Sequence, residues 1–226
     1  MNTLANENIV IAFEGNIGSG KSTFIKKFKE IWPNCEYIDE PLEKWQNING
    51  TNVFKRYCED MHKYAFTFQV LAFGTRLFDH IKPLNKTRIC ERSLYTDMLF
   101  AEMQYEDGFI DKIQYDVYKE IYTKTMMQMG NNKPNLILYI YTPAEECYRR
   151  KNIRCREGEE NVSLSYLKSL ESKHESWMND ECGITKENII YLRIRNDFDI
   201  NNNQLFIKNV IDKLYNFYIQ KYATFQ

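Results

Sequence analysis

The run Gly15, Asn16, Ile17, Gly18, Ser19, Gly20, Lys21, Ser22, Thr23 has the form G-x-x-x-x-G-K-[ST], lying between an apolar stretch and a helical pattern that begins near Ser22. Glycines let successive backbone N–H groups turn inward on an anion, and a helix N-terminus adds partial positive charge beneath it. In such a loop the lysine bridges the β- and γ-phosphates as they separate, and the hydroxyl of Ser22 ligates Mg²⁺. These residues therefore predict a nucleoside triphosphate donor with Mg²⁺, and leave the phosphate acceptor open. The chain has no Asn-Lys-x-Asp guanine-reading motif and no room for a second motor domain, so a small-molecule kinase is favoured by elimination.

Three further stretches carry groups suited to an acceptor. "DEPLEKW" closes a short apolar run with Glu40, a carboxylate placed to take a proton from an attacking hydroxyl, and ends on Trp45, a flat wall for a base. "CERSLYTD" puts Glu91 where an acid contacts the Mg²⁺ shell, with Arg92 next at the cleft. "YAFTFQVLAFGTR" holds Gln69 as a lone amide on an apolar stripe, and an amide offers both a donor and an acceptor to a base edge. Arg150, Arg154 and Arg156 in "YRRKNIRCREGEEN" form a basic lid able to close over phosphates.

The elements that must position these groups alternate. Continuous apolar runs at Ile9–Phe13, Glu36–Ile38, Arg88–Cys90, Leu136–Tyr141 and Ile189–Leu192 read as strands buried on both faces. Helical periods separate them: Phe54, Tyr57, Met61, Tyr64, Phe68, Leu71, Thr75, Phe78; then Ile110 to Met129 with Ile113, Val117, Ile121 and Met126 on one side; then Leu205 to Tyr218. This predicts an α/β fold with a parallel sheet, as one domain over residues 1–226, its phosphate loop at 15–23 and its lid at about 149–161. The methionines of "KTMMQMG" read as gap-filling core.

Composition sets the outer limits. Hydrophobic residues make up 43% of the 226, enough for a sizeable core, and a net charge of −1 gives no general pull toward nucleic acid or an acidic membrane. Six cysteines without a CxxC pair or a histidine at ligand spacing read as small core residues in a reducing compartment, not as a zinc site. No run approaches a membrane span, and "MNTLANEN" has neither a signal peptide's apolar core nor a transit peptide's arginines. The expectation is a soluble cytoplasmic or nuclear protein.

Together "GNIGSGKST", "EPLEKW", "YAFTFQ", "ERSLYTD", "RCREGEE" and "SKHESW" resemble the deoxyribonucleoside kinase family over almost the whole chain. The resemblance implies a P-loop kinase fold with a five-stranded parallel sheet, a homodimer, and transfer of the γ-phosphate of ATP or another nucleoside triphosphate to a deoxynucleoside 5′-hydroxyl. It implies Glu40 as general base, Trp45 and Phe68 lining the base slot, Gln69 pairing with the base, and Arg92 holding the 5′ end. Tyr57 and Glu159 would hold the sugar 3′-hydroxyl, while Arg150, Arg154 and Arg156 clamp the donor phosphates. In the deoxycytidine-type branch, a cation seven places after the glutamine accompanies an Asp in the ERS motif. Arg76 and Asp97 fill those positions here. Asp97 can accept from the exocyclic amine of cytosine or adenine, and Arg76 can serve the O6 and N7 of guanine. Thymine's carbonyl and methyl would leave the carboxylate poorly matched. The expected acceptors are deoxycytidine or deoxypurines.

Two departures stand out. The family has eleven steps from the sugar-binding tyrosine to the glutamine, whereas twelve separate Tyr57 from Gln69. One continuous helix would splay them about 120° apart. Either the helix breaks near Glu59–Asp60, with Asp60 capping a new one, or Tyr57 misses the sugar. Cys58 has the family spacing but is a poor hydrogen-bonding substitute. Arg193 stands after the last strand where the family often has an acid, leaving the choice of donor triphosphate open. Competing readings are a thymidine-preferring or broad-specificity enzyme, a nucleoside monophosphate kinase, a kinase-like accessory subunit, and, weakest, a GTP-dependent switch.

Overall fold

The computed structural model describes residues 8–179, 190–195 and 212. Five strands, β1 (Val10–Glu14), β2 (Glu36–Ile38), β3 (Arg88–Glu91), β4 (Leu136–Tyr141) and β5 (Ile190–Arg195), form one all-parallel sheet in the order β2-β3-β1-β4-β5. All five β1 residues are buried, as its central place demands. Alternation divides its side chains. Ile11 and Phe13 pack on one face with Phe24, Ile25 and Phe28, while Ala12 faces Leu94, Leu99 and Trp177 on the other.

Helix α1 (Lys21–Ile31) covers the first face through Phe24, Ile25 and Phe28, at three- and four-residue steps. Phe28 meets Phe13 edge-on at 5.1 Å and Trp32 at 4.9 Å. Each such buried ring contributes about 1.5–3 kcal/mol. Four longer or packed helices cover the second face and the crevice: α4 (Met61–His80), α5 (Leu94–Glu106), α6 (Lys112–Gln128) and α8 (Leu164–Met178). Short helices α2 (Leu42–Gln46) and α3 (Val53–Glu59), with α7 (Ala144–Arg154), close the crevice. Side-chain caps fix the starts: Ser93 for α5, Ser163 for α8, and an Asp111/Gln114 capping box for α6.

The helix predicted to run past Tyr57 does break. Asp60 ends α3 and caps α4, its carboxylate accepting from Lys63 N at 3.1 Å. The two segments thus turn independently, and the twelve-step spacing no longer separates Tyr57 from Gln69 by a fixed angle. The face of α6 differs from the simple stripe. Tyr118, Tyr122 and Met126 are buried, whereas Ile113, Val117 and Ile121 are exposed. Tyrosine rings reach Phe73 of α4 and outcompete the aliphatic row for the interior. Phe78, at the end of the predicted α4 stripe, is also exposed. The predicted C-terminal helix lies outside the described residues, apart from residue 212. Arg88, inside a strand, is fully buried. Its guanidinium satisfies Glu36, Asn132 and the carbonyls of His80, Lys82 and Pro83, tying together the pole opposite the phosphate loop.

Candidate active site

A cavity of about 630 Å³ opens at the carboxyl ends of the strands, within the range of ligand sites. The phosphate loop follows β1 and enters α1 with Gly20 in the left-handed region (φ 98°). A Cβ on Gly15 would lie 2.4 Å from the Ile140 carbonyl, and one on Gly18 would lie 2.5 Å from that of Cys147. Both glycines are required by close approach. Ile17, Gly18, Gly20, Lys21, Ser22 and Thr23 line the cavity. Gly15, Asn16 and Ser19 do not; they shape the loop from behind, Asn16 Nδ2 donating to the Leu167 carbonyl at 2.8 Å.

Lys21 Nζ donates to the carbonyls of Gly15 (3.1 Å) and Asn16 (2.8 Å). Burial, aided by Arg92, lowers its pKa to about 8. Ser22 Oγ donates to Glu91 Oε1 at 2.7 Å. Burial and the neighbouring Glu40 charge push the Glu91 carboxyl up. Among the described residues no group of three or more His, Cys, Asp or Glu is arranged to hold a metal. A hydroxyl and one carboxylate beside a phosphate loop nevertheless fit Mg²⁺, which takes few protein oxygens and completes its shell with phosphates and water.

Glu40 follows β2, and its Oε1 accepts from Arg92 Nε at 3.2 Å, with Arg76 Nη2 at 3.8 Å. Burial works against its charge, but Arg92, Arg76, Lys21 and Arg156 outweigh that and hold the carboxyl below its usual range. Arg92 sits in the left-handed region (φ 67°), a conformation that costs a non-glycine about 1–3 kcal/mol and needs bracing. Its N–H donates to the Phe13 carbonyl at 2.9 Å. Fully buried Glu14 grips the next turn, accepting from Ser93 N (2.7 Å), Ser93 Oγ (2.5 Å) and Thr96 Oγ1. Arg92 Nη1 is buried without a hydrogen-bond partner among the described residues.

Trp45 lines the same cavity. Its Nε1 donates to Thr75 Oγ1 at 2.8 Å, and its ring meets Phe68 edge-on at 5.3 Å. The Arg76 guanidinium lies 5.5 Å over that ring and bonds both Asp97 oxygens through Nε, at 3.2 and 3.0 Å. Burial raises Asp97 to about 6 despite the arginine. Gln69 is 2% exposed and lines the cavity, and its side-chain amide makes no hydrogen bond to the described residues. The Tyr57 ring stacks on Phe68 at 4.5 Å, and its hydroxyl lies 3.1 Å from that of Tyr166.

The lid arginines line the cavity but are engaged with acids. Arg150 Nε pairs with Glu146 at 2.7 Å, while Arg154 and Arg156 hold the two oxygens of Glu159 at 2.5 and 3.2 Å. Lys151 Nζ donates to the Glu159 carbonyl at 2.9 Å and fixes the turn. Arg193 lies within β5, pairs with Glu175 at 3.1 Å, and is not on the cavity wall.

A sequence model of the family described as deoxynucleoside kinase matches residues 11–219. The chain belongs to the deoxynucleoside kinase family. It is 33% identical over 216 residues to the probable deoxycytidine kinase of Fowlpox virus, covering 94% of this chain and 89% of that relative. It is 28% identical to the mitochondrial deoxyguanosine kinase of Xenopus laevis (85% and 83% covered). It is 33% identical to the mitochondrial thymidine kinase 2 of Homo sapiens (75% and 64% covered). The deoxynucleoside kinase fold thus carries an ATP-dependent phosphotransferase. Among the residues around this kinase's cavity that the motifs do not single out are Phe100, Tyr166 and Glu14. Phe100 and Tyr166 line it from α5 and α8, and as aromatics in helices they carry no local signal of a site. Glu14, a carboxyl at a strand end, carried the same signal that singled out Glu40.

Proposed function

We propose that this deoxynucleoside kinase transfers the γ-phosphate of ATP or another nucleoside triphosphate to the 5′-hydroxyl of deoxycytidine or a deoxypurine. The observation that carries this reading is one cavity whose wall includes Lys21 of the phosphate loop, Gln69, Asp97 and the hydrogen-bonded Glu40–Arg92 pair. Glu40 takes the 5′-hydroxyl proton. Arg92 offers its unpartnered Nη1 to the reacting oxygens. Lys21 leaves its loop carbonyls for the β- and γ-phosphates, and the lid arginines exchange their acid partners for phosphate. Mg²⁺ held by Ser22 and Glu91 would neutralise phosphate charge. Tyr57 and Glu159 hold the sugar 3′-hydroxyl, Trp45 and Phe68 line the base slot, and Gln69 pairs with the base edge. Most of the effect is positioning plus electrostatics, since phosphoryl transfer asks for little covalent participation.

The Arg76–Asp97 pair favours an amino-bearing or purine base over thymine, because it presents a buried acceptor that thymine leaves unmatched. The test is kcat/KM for the four deoxynucleosides. Deoxycytidine or a deoxypurine should exceed thymidine by about tenfold or more, and Asp97→Ala should narrow that gap. Thymidine as the best substrate overturns the base assignment.

We further infer a homodimer and one kinase domain. Val70 and Phe78 on α4 and Ile113, Val117 and Ile121 on α6 leave apolar side chains exposed on two helices that pack together through Phe73, Tyr118 and Tyr122. The free thiols of Cys35, Cys58, Cys90, Cys147 and Cys155 suit a reducing compartment such as the cytoplasm. No described helix is long and apolar enough to cross a membrane.

A further inference from the structure

Behind the cavity wall, Gln104 of α5 is fully buried and absent from the lining. Its Nε2 donates to Tyr57 Oη at 3.1 Å and to Tyr166 Oη at 3.3 Å, and the two hydroxyls lie 3.1 Å apart. Its Oε1 has no hydrogen-bond partner among the described residues. An orphaned buried carbonyl is costly. Turning the amide over would relieve nothing, since one oxygen facing two hydroxyls leaves no hydrogen for the contact between them.

A hydrogen count gives the arrangement a purpose. The amide brings two hydrogens and each tyrosine one, since burial keeps both phenols protonated. The three contacts of the triangle consume three of these four. One tyrosine hydrogen is left without a protein acceptor among the described residues, on the hydroxyls of two residues that both line the cavity. Glu159, also on the wall, is an acceptor only. One donor and one acceptor are the complement of a single sugar hydroxyl.

We propose that Gln104 is a positioning residue that sets the hydrogen-bond polarity of the Tyr57–Tyr166 pair, so that it donates to the nucleoside 3′-oxygen. This rests on the reading above in which Tyr57 and Glu159 meet the 3′-hydroxyl. By donating to both phenol oxygens from behind, Gln104 takes up acceptor sites the sugar would otherwise meet and frees one tyrosine hydrogen to point at it, which suits Glu159 as the acceptor of the 3′-hydroxyl hydrogen.

Gln104→Glu tests the count with little change of shape. An ionised carboxylate draws both tyrosine hydrogens inward. A protonated one brings a single hydrogen, and the resulting three fill the three contacts. In either state none remains for the sugar. KM and kcat are measured for a 2′-deoxynucleoside and its 2′,3′-dideoxy analogue, with thermal unfolding followed in parallel. The variant should raise KM for the 2′-deoxynucleoside about tenfold, leave kcat within about twofold, and leave the dideoxy analogue unchanged. Gln104→Met removes both donors without introducing charge; it leaves the pair a spare hydrogen but opens both phenol oxygens to accept, so if Gln104→Glu folds poorly it should weaken the same discrimination by a smaller factor, about two- to threefold. Equal losses on both substrates, or undiminished preference for the 3′-hydroxyl in the folded variants, overturn the role of Gln104. Wild-type protein indifferent to the 3′-hydroxyl overturns the sugar contact itself, and with it this inference.

Discussion

Glu40→Gln should lower kcat about a hundredfold while nucleoside KM changes little. That loss corresponds to about 2.7 kcal/mol of transition-state stabilisation. The glutamine preserves shape and still accepts from Arg92 Nε, which now contacts Glu40 at 3.2 Å, but it cannot take up a proton. The expected loss is at the low end for a general base, for a physical reason. Arg92, Arg76 and Lys21 keep the carboxyl below its usual range, making it a weak base, and a loose phosphoryl transition state needs little help from the nucleophile until late. The same depression keeps Glu40 ionised from neutral pH down to about 5, so its protonation should not limit kcat there. A steady-state comparison of kcat and KM checks this, and unchanged turnover refutes the assignment.

Lys21→Ala should cost about 10²–10³-fold in kcat with every acceptor, because the lost charge acts on the migrating phosphoryl group and not on the base. Wild-type Lys21 also predicts a pH signature. Its pKa is lowered to about 8, so the free enzyme loses the ammonium as pH rises through that value. Triphosphate binding requires the charged form, so donor KM should climb above about pH 8, by at most about tenfold per unit. Lys21→Ala should abolish that rise. Donor KM profiles for the two proteins separate this effect from a general loss of structure at high pH.

The phosphate loop, the strand run and the residues at strand ends were legible because local rules govern them. Glycine at a close approach, continuous apolar runs in a parallel sheet, and carboxylates at carboxyl-terminal strand ends are all properties of short stretches. The break at Asp60 was legible as one of two alternatives, since a capping residue stood at the required place. Other features depend on partners distant in the chain. Ile113, Val117 and Ile121 have helical spacing as good as a buried face, but the tyrosines next to them reach Phe73 and decide the outcome. Gln104 looks like any polar residue at a helix end. Its meaning arises only when α3 and α8 bring Tyr57 and Tyr166 to it across 47 and 62 residues of sequence. The sequence marks the lid arginines as a basic group but not their acidic partners. In the fold they face the cavity while paired with Glu146 and Glu159, so a triphosphate must displace acids to recruit them. Arg193 likewise belongs to β5 and to Glu175, away from the cavity.

The most direct test of the central claim is to incubate the protein with Mg²⁺, γ-labelled ATP and deoxycytidine, then identify the labelled product. Label on the 5′-oxygen, as deoxycytidine 5′-monophosphate, is the predicted result. Transfer to none of the four deoxynucleosides, or only to their monophosphates, would contradict it.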